Sequence, residues 1–274
     1  VALTIVVNTC DAYSDVLDIF FHALHDHWPD CPYPVVINTE SNLYSYSARV
    51  HNHVSSTGND DWGERLRFTL STVDSEFALM LYDDFILEAS VDQKAIDAAL
   101  QILREQSDAV VTYLINTSLP LAEYSQSAQF VPIKSKAQYR LNSAPAIWRK
   151  QALLDYTAAG DTPWAWEVFG TYRTWGDGKV FYSPNPDRAP IYPYNYSKGG
   201  AIYRGKWVRE VVDVVASKYP LKIEWTKRGF SSDVVFEKRS LGWKAKFMKT
   251  GFNMVGLKAL HFVVSYIKDK INGQ

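Results

Sequence analysis

Residues 76–87 of this chain read Glu-Phe-Ala-Leu-Met-Leu-Tyr-Asp-Asp-Phe-Ile-Leu, an apolar run that two adjacent acids, Asp83 and Asp84, interrupt. A short continuous apolar run is typical of a strand buried on both faces of a parallel sheet. Carboxylates at such a place need a hydrogen bond, an opposite charge or a cation. Because open α/β sheets bind ligands at the carboxyl ends of their strands, this acid pair is well placed to hold a divalent cation. The alternative is that the two acids only begin a turn.

Strand and helix patterns alternate on both sides of this stretch, and their order predicts an α/β fold with a doubly wound, mostly parallel central sheet. From residue 116 onward the pattern is less regular, and the loop at 192–205 is rich in Tyr, Gly and Lys. The predicted strands are at 3–8, 34–40, 76–82, 109–115 and 144–148. The predicted helices are at 15–28, 61–72, 91–106, 149–159 and 207–218, and a further helix begins at residue 163.

Polar residues follow the first two predicted strands. Thr9, Asp11 and Glu40 lie at these strand ends, where side chains of adjacent parallel strands can hydrogen-bond a nucleobase and a ribose. The alternative is ordinary strand-end and cap chemistry. Arg65 lies one turn into the helix before the central strand and can contact a diphosphate with its planar guanidinium. Its alternative is a solvated helix face on which Arg65 pairs with a neighbouring acid.

The segment Trp164-Ala165-Trp166-Glu167 places two large aromatic residues next to one acid. Aromatic faces commonly stack on sugar rings, so Trp164 and Trp166 are candidates for saccharide binding. A carboxylate between Trp side chains is partly desolvated, which raises its pKa toward the range of a general base. The alternative is a helix N-terminus with Pro163 at its first position, where Glu167 favours the helix dipole and the Trp pair is core.

Charge divides the chain into an acidic body, residues 1–225, and a basic tail, residues 226–274, which contains ten Lys or Arg and three Asp or Glu. Apolar residues among lysines at 241–271 are typical of a helix in a membrane interface. The alternative is a helix docked on the body or on a partner subunit. No stretch has the roughly 18 to 20 apolar residues of a transmembrane helix.

Other classes of site find little support in the sequence. It has no Walker loop, dinucleotide fingerprint or Ser-His-Asp arrangement, and an acidic body without a recognition motif disfavours nucleic acid. His22 and His25 have metal-compatible spacing, but their helix lies away from the ligand edge of the sheet. Two cysteines and no visible secretory pattern predict a cytoplasmic protein, peripheral at the inner face of the cell membrane.

The strand ending in Leu81-Tyr82-Asp83-Asp84 and the later segment Trp164-Ala165-Trp166-Glu167 together resemble GT-A-fold glycosyltransferases, most closely the bacterial enzymes of capsule and O-antigen assembly. The resemblance covers about residues 1–215. It implies a nucleotide-diphosphate sugar donor, a saccharide or lipid-linked acceptor, and Mn²⁺ or Mg²⁺ as cofactor. This chain has Asp83-Asp84 where the family has Asp-x-Asp, and Val168 follows Glu167 where the family often has an acid.

By this resemblance Asp83 and Asp84 bind the metal and the diphosphate, and Glu167 is the base that activates the acceptor hydroxyl in an inverting transfer. Thr9, Asp11, Glu40 and Arg65 bind the donor, which we expect to be UDP-linked, and Trp164 and Trp166 bind the acceptor. Two alternatives remain. A sugar nucleotidyltransferase is disfavoured because residues 9–13 contain no Gly or basic residue. A non-catalytic saccharide-binding or scaffold protein would use the aromatic residues without turnover.

Overall fold

The computed structural model describes residues 2–47, 49–54, 61–219, 223–235 and 239–271, with only the backbone for residues 266–271. Eight strands form one sheet at its centre: β1 (Leu3–Asn8), β2 (Val35–Thr39), β3 (Val50–Val54), β4 (Phe77–Tyr82), β5 (Ala109–Tyr113), β6 (Phe130–Pro132), β7 (Ala146–Arg149) and β8 (Val180–Pro184). The order across the sheet is β3-β2-β1-β4-β7-β5-β8-β6. A short antiparallel pair, β9 (Ile202–Tyr203) and β10 (Lys206–Trp207), stands apart from it.

The helices cover the sheet and extend the chain beyond it. They are α1 (Ser14–His27), α2 (Trp62–Thr72), α3 (Gln93–Glu105), α4 (Lys150–Tyr156), α5 (Pro163–Val168), α6 (Arg209–Lys218), α7 (Trp225–Arg228), α8 (Leu241–Val255) and α9 (Leu260–Ile271). Both faces of β1, β2, β4 and β5 are buried, which explains their continuous apolar sequences. The predicted α/β class with a mostly parallel central sheet is confirmed.

Register brings the carboxyl ends of three parallel strands level with one another. Asn8 of β1 pairs with Asn38 of β2 and with Tyr82 of β4. The Asn8 side chain accepts a hydrogen bond from Asn38 at 2.8 Å and donates one to the Leu81 carbonyl at 3.0 Å. The residues that follow these strands therefore meet at one edge of the sheet.

Several strands depart from the predicted pattern. β6 and β8 are not among the predicted strands, and β6 pairs with β8 in antiparallel direction. β7 lies antiparallel between β4 and β5, which separates two blocks of parallel strands. β3, with the sequence Val-His-Asn-His-Val, is a parallel edge strand on β2 that the sequence did not predict. Its side chains are only half-buried, and its polar residues do not form the apolar run that identified the central strands.

The C-terminal helices contact the rest of the chain. Residue 225, where the sequence-based division ends the body, is the first residue of α7, and Arg228 at the end of this helix binds Asp15 of α1. Helices α8 and α9 pack against α5 through an apolar cluster that includes Phe169 and the fully buried Ala259. Within the described residues, no helix is both long and apolar enough to cross a membrane.

Candidate active site at the carboxyl edge of the sheet

A chain of hydrogen bonds joins the residues that follow β1 and β2. The Asp11 backbone N–H donates to Glu40 Oε2 at 2.9 Å, and Arg65 Nη1 donates to Glu40 Oε1 at 3.2 Å. The Asp11 carboxylate accepts hydrogen bonds from the backbone N–H groups of Ser41 and Asn42, each at 3.1 Å. The structure thus brings together three of the residues predicted to bind the donor.

Helix α2 fixes the position of Arg65. Asp61 caps the helix by accepting a hydrogen bond from the Glu64 N–H at 2.9 Å, and the Glu64 side chain accepts one from the Asp61 N–H. This capping box holds the first turn, so the Arg65 guanidinium faces Glu40 instead of the solvent, and Arg65 is 9% exposed. This ion pair joins helix α2 to Glu40, the residue that follows β2.

Asp83 and Asp84 point in different directions at the end of β4. The Asp83 carboxylate is buried and accepts a hydrogen bond from Thr9 Oγ1 at 2.5 Å. Asp84 instead lines a cavity on the other side of the strand end. Burial, reinforced by the charge of Asp84, raises the pKa of Asp83 well above its usual range, and burial raises the pKa of Asp84 to about 7.

The loop after β8 closes over Asp84. Ala201 N–H donates to the Asp84 carbonyl at 2.9 Å. A Cβ at Gly200 would lie 2.7 Å from Asp84 Oδ2, and Gly200 has φ +152°, so only glycine fits here without displacing the carboxylate. The sequence analysis noted that this loop is rich in Tyr, Gly and Lys but did not connect it to the acid pair, although its adjacent glycines, Gly199 and Gly200, mark the close approach.

Glu167 reaches the same cavity from helix α5. Thr162 caps this helix by accepting from the Ala165 N–H at 3.3 Å, and Pro163 occupies its first position, as predicted. The Ser143 backbone N–H donates to Glu167 Oε1 at 2.6 Å. Burial raises the pKa of Glu167, and the Ser143 hydrogen bonds only partly offset this effect.

The cavity between Asp84 and Glu167 has a volume of about 450 Å³. Tyr194 and Tyr196, from the loop after β8, form part of its wall, and Tyr196 is 47% exposed. Polar groups of Asn116 and Asn142 line it as well. The sequence analysis missed these residues because they lie in irregular segments, where no periodic pattern shows which way a side chain points.

The two tryptophans of the aromatic segment have different surroundings. Trp164 is 46% exposed, lines the cavity and stacks on Phe247 of α8 with ring centroids 4.0 Å apart. Trp166 is fully buried and packs against Trp62 and Trp148, and its indole N–H donates to the Tyr156 carbonyl at 3.1 Å. The structure therefore places Trp164 at the cavity and Trp166 in the core, because residues two apart on a helix face different directions.

Arg228 is a buried cation that the sequence analysis placed in the basic tail. Its Nε donates to Asp15 Oδ2 at 3.0 Å, its Nη2 donates to the Ala12 carbonyl and Asp15, and its guanidinium lies 4.5 Å from the Tyr13 ring centroid. Its charge also lowers the pKa of Asp83, against the larger effect of burial. Arg228 thus fixes the segment after β1.

The acid pair fits a cation only in part. In the described part of the chain, no three His, Cys, Asp or Glu side chains are grouped so that they could hold a metal ion. Mg²⁺-like ions are, however, often bound by one or two carboxylates together with substrate phosphates. Asp84, half-buried and facing the cavity, is suited to such a shared site. The Asp83 carboxylate is turned toward Thr9.

The sequence matches no family profile and no curated protein. Among solved structures, S. aureus TarS 1–349 in complex with UDP is 14% identical with a TM-score of 0.52, covering 100% of this chain and 92% of that chain. Its complex with UDP-GlcNAc is 14% identical with a TM-score of 0.50, covering 100% and 93%. TarS is a GT-A-type glycosyltransferase. At this identity the likeness establishes the fold, and it confirms the predicted GT-A-like architecture.

Solved nucleotidyltransferases match less well. The structure of CMP:2-keto-3-deoxy-manno-octonic acid synthetase complexed with CTP covers 67% of this chain with a TM-score of 0.42, which is too low to bear on function.

Proposed function

We propose that this protein is a glycosyltransferase that moves a sugar from a nucleotide-diphosphate donor, UDP-linked by preference, to a saccharide or lipid-linked saccharide acceptor. The observation that carries the proposal is the meeting of two sets of side chains at one edge of the sheet. Asp11, Glu40 and Arg65 form one set, and Asp84 and Glu167, which share a cavity, form the other. Ligands of open α/β sheets bind at this edge.

Arg65 and the strand ends would hold the donor. An Arg guanidinium suits the oxygens of a diphosphate, and backbone and carboxylate groups at the ends of adjacent strands suit the nucleoside. The solved complexes of TarS 1–349 contain UDP and UDP-GlcNAc, which supports the choice of a uridine nucleotide for this chain.

Asp84 would hold a divalent cation, Mn²⁺ or Mg²⁺, with oxygens of the donor. Such a cation, when bound, neutralises negative charge on the departing diphosphate. A buried carboxylate without an opposite charge gains from binding a cation, since the cation removes the cost of its desolvation. The raised pKa of Asp84 fits this role, because burial outweighs the backbone hydrogen bonds from Asp84 and Ile202, which compensate the charge only in part.

Glu167 would act as the general base. It would take the proton from an acceptor hydroxyl as the hydroxyl oxygen bonds to the anomeric carbon, and the bond from that carbon to the diphosphate would break with its electron pair. The raised pKa of Glu167 favours this role. Because attack and departure occur on opposite faces of the sugar, this assignment predicts inversion.

Calorimetric titration with UDP, GDP, CDP and dTDP, each with and without Mn²⁺, tests the donor class. We expect selective binding of UDP that Mn²⁺ strengthens. Binding that is indifferent to Mn²⁺ would remove the cation from the proposal but keep the donor. No binding of any of the four nucleotides would favour the non-catalytic saccharide-binding alternative. In a separate assay, release of pyrophosphate from a nucleoside triphosphate and a sugar phosphate would favour the nucleotidyltransferase.

A further inference from the structure

One stripe of helix α8 faces the body of the protein. Trp243 and Phe247 stack on Trp164, with ring centroids 5.1 and 4.0 Å from it. One turn further along, Gly251 is buried so closely against Phe169 that a Cβ would lie 2.5 Å from its ring. Residues four apart lie on one face of a helix, so these three residues define the inner face of α8.

The opposite stripe faces away from that cluster. Leu241, Ala245 and Lys249 follow the same spacing two residues out of phase, and Phe252 lies three residues after Lys249, so these four residues are turned to the other side of the helix. Leu241 is 84% exposed and Phe252 is 40% exposed. Large apolar residues continue to be exposed in the next segment and in α9, where they are Leu257, Leu260 and Val264.

Charge on this part of the chain has a single sign. Residues 240–265 contain four lysines and no Asp or Glu. Lys244, Lys246 and Lys249 are exposed residues of α8. Lys258 is also exposed, but its ammonium group donates to the Tyr172 carbonyl of the body at 3.2 Å. Long lysine side chains extend their ammonium groups past apolar neighbours, so exposed leucines and lysines together suit a surface with an apolar interior and anionic headgroups.

We propose that the exposed apolar residues Leu241, Phe252, Leu257, Leu260 and Val264 of α8, α9 and the segment between them, with Lys244, Lys246 and Lys249, form a docking surface for an anionic lipid bilayer. The helices would lie in the headgroup region, consistent with the lack of a membrane-crossing helix among the described residues. Because Trp164 stacks on the inner side of α8 and lines the cavity, docking would bring the cavity close to the membrane.

Charge favours a bilayer over a second copy of the chain. In a two-fold symmetric dimer the same patch meets itself, so the lysines of one copy would face those of the other without an acid from residues 240–265 between them. An anionic bilayer instead attracts each lysine. This inference does not depend on the proposed transfer reaction, since binding to vesicles requires no donor and no turnover.

Co-sedimentation of the full chain with phosphatidylcholine vesicles, with and without phosphatidylglycerol, tests the docking surface. We expect binding that requires the anionic lipid and weakens with salt. A lysine near an anionic surface contributes about fivefold to partitioning, so Lys246→Glu with Lys249→Glu should lower it by at least about 25-fold. The matched control is Lys134→Glu with Lys136→Glu, the same charge change at exposed positions outside the C-terminal helices, which should leave partitioning within about twofold.

A second pair of variants tests the apolar contribution. Leu241→Ser with Leu257→Ser should also reduce partitioning, while circular dichroism stays unchanged because both side chains are exposed. The proposal is overturned if the wild-type chain does not sediment with vesicles that contain phosphatidylglycerol. It is also overturned if the substitutions at Lys134 and Lys136 lower partitioning as much as those at Lys246 and Lys249. A concentration-dependent dimer that Leu257→Ser abolishes, without vesicle binding, would assign the surface to a second copy instead.

Discussion

Two groups of acids meet at the carboxyl edge of the sheet, and they differ in what surrounds them. Asp11 and Glu40 are held by backbone N–H groups and by Arg65. Although burial acts in the opposite direction, hydrogen bonds from Ser41 and Asn42 keep the pKa of Asp11 below its usual value. Asp84 and Glu167 line the cavity instead, and burial raises the pKa of both more than their hydrogen bonds lower it.

This difference distinguishes acids that position a ligand from acids that exchange a proton or bind a cation. An acid whose charge the protein compensates can position a ligand, but it has little tendency to exchange protons or to recruit a cation. An acid whose hydrogen bonds compensate its burial only in part is less stable as an anion until a ligand arrives. Strongly perturbed acids of this second kind cluster at functional sites. We therefore expect the largest effects on activity at Asp84 and Glu167, and modest effects on stability at Glu40.

Glu167→Gln should have the largest effect. The amide keeps the shape of the side chain and can still accept the hydrogen bond from the Ser143 N–H, but it cannot take a proton. We expect turnover to fall by a factor on the order of 10² or more, with donor affinity within about twofold of the wild type. Steady-state kinetics together with calorimetry of UDP separate the two quantities.

Glu123→Gln is the control for this change, because Glu123 is an exposed acid outside the cavity. It should leave both turnover and donor affinity unchanged. If Glu167→Gln retains near-normal turnover, Glu167 is not the base. If it instead weakens donor binding as much as it slows turnover, its role is in the binding of the donor.

Asp84→Asn should remove the strengthening of nucleotide binding by Mn²⁺. Loss of a charged ligand to a cation corresponds to about a tenfold or greater weakening of Mn²⁺-dependent binding, measured by calorimetry at saturating and at zero Mn²⁺. Asp83→Asn provides the comparison, since Asp83 faces Thr9 and not the cavity. An equal loss in both variants would show that the two acids bind the cation together, and no loss in either would remove the cation site from this edge.

The dependence of cation binding on pH should follow Asp84. Its pKa of about 7 means that the carboxyl group is protonated below that pH, and a cation must then displace the proton. Mn²⁺-dependent binding of UDP should therefore weaken by up to about tenfold for each unit below pH 7 and level off above it. A profile that is flat between pH 5 and 8 would contradict the raised pKa, and the Asp84→Asn variant should give such a flat profile.

The same contrast explains what the sequence could and could not predict. β1, β2 and β4 were predictable because burial on both faces leaves a continuous apolar run that is visible locally. Glu167 was identified because its own segment places two large aromatic residues next to one acid. Polar residues at strand ends were identified because parallel strands end at one edge.

Features that depend on distant parts of the chain were not predictable in this way. Arg228 binds Asp15 across 213 residues, and nothing near either residue specifies the other. The burial of Trp166 depends on Trp62 and Trp148, which its own helix does not encode. The antiparallel β7 has an apolar sequence that fits either strand direction, so only its neighbours decide its orientation.

A comparison of two charge-removing substitutions should give opposite changes in stability. Glu40→Gln removes the charge that Arg65 pairs with, so we expect the free energy of unfolding to fall by about 0.5–1 kcal/mol at pH 8. Asp84→Asn removes a charge that burial disfavours and that two backbone hydrogen bonds compensate only in part. The raised pKa means that Asp84 supports the folded state while it is protonated, and this support is lost as the pH rises through 7.

At pH 8 without ligands, Asp84→Asn should therefore raise the free energy of unfolding by about 1 kcal/mol or more, and at pH 5 the gain should shrink. Urea unfolding at both pH values measures the two variants side by side. If Asp84→Asn destabilises the protein at pH 8 as Glu40→Gln does, the protein itself already compensates the charge of Asp84. Glu40 and Asp84 would then no longer differ in whether the protein compensates their charge.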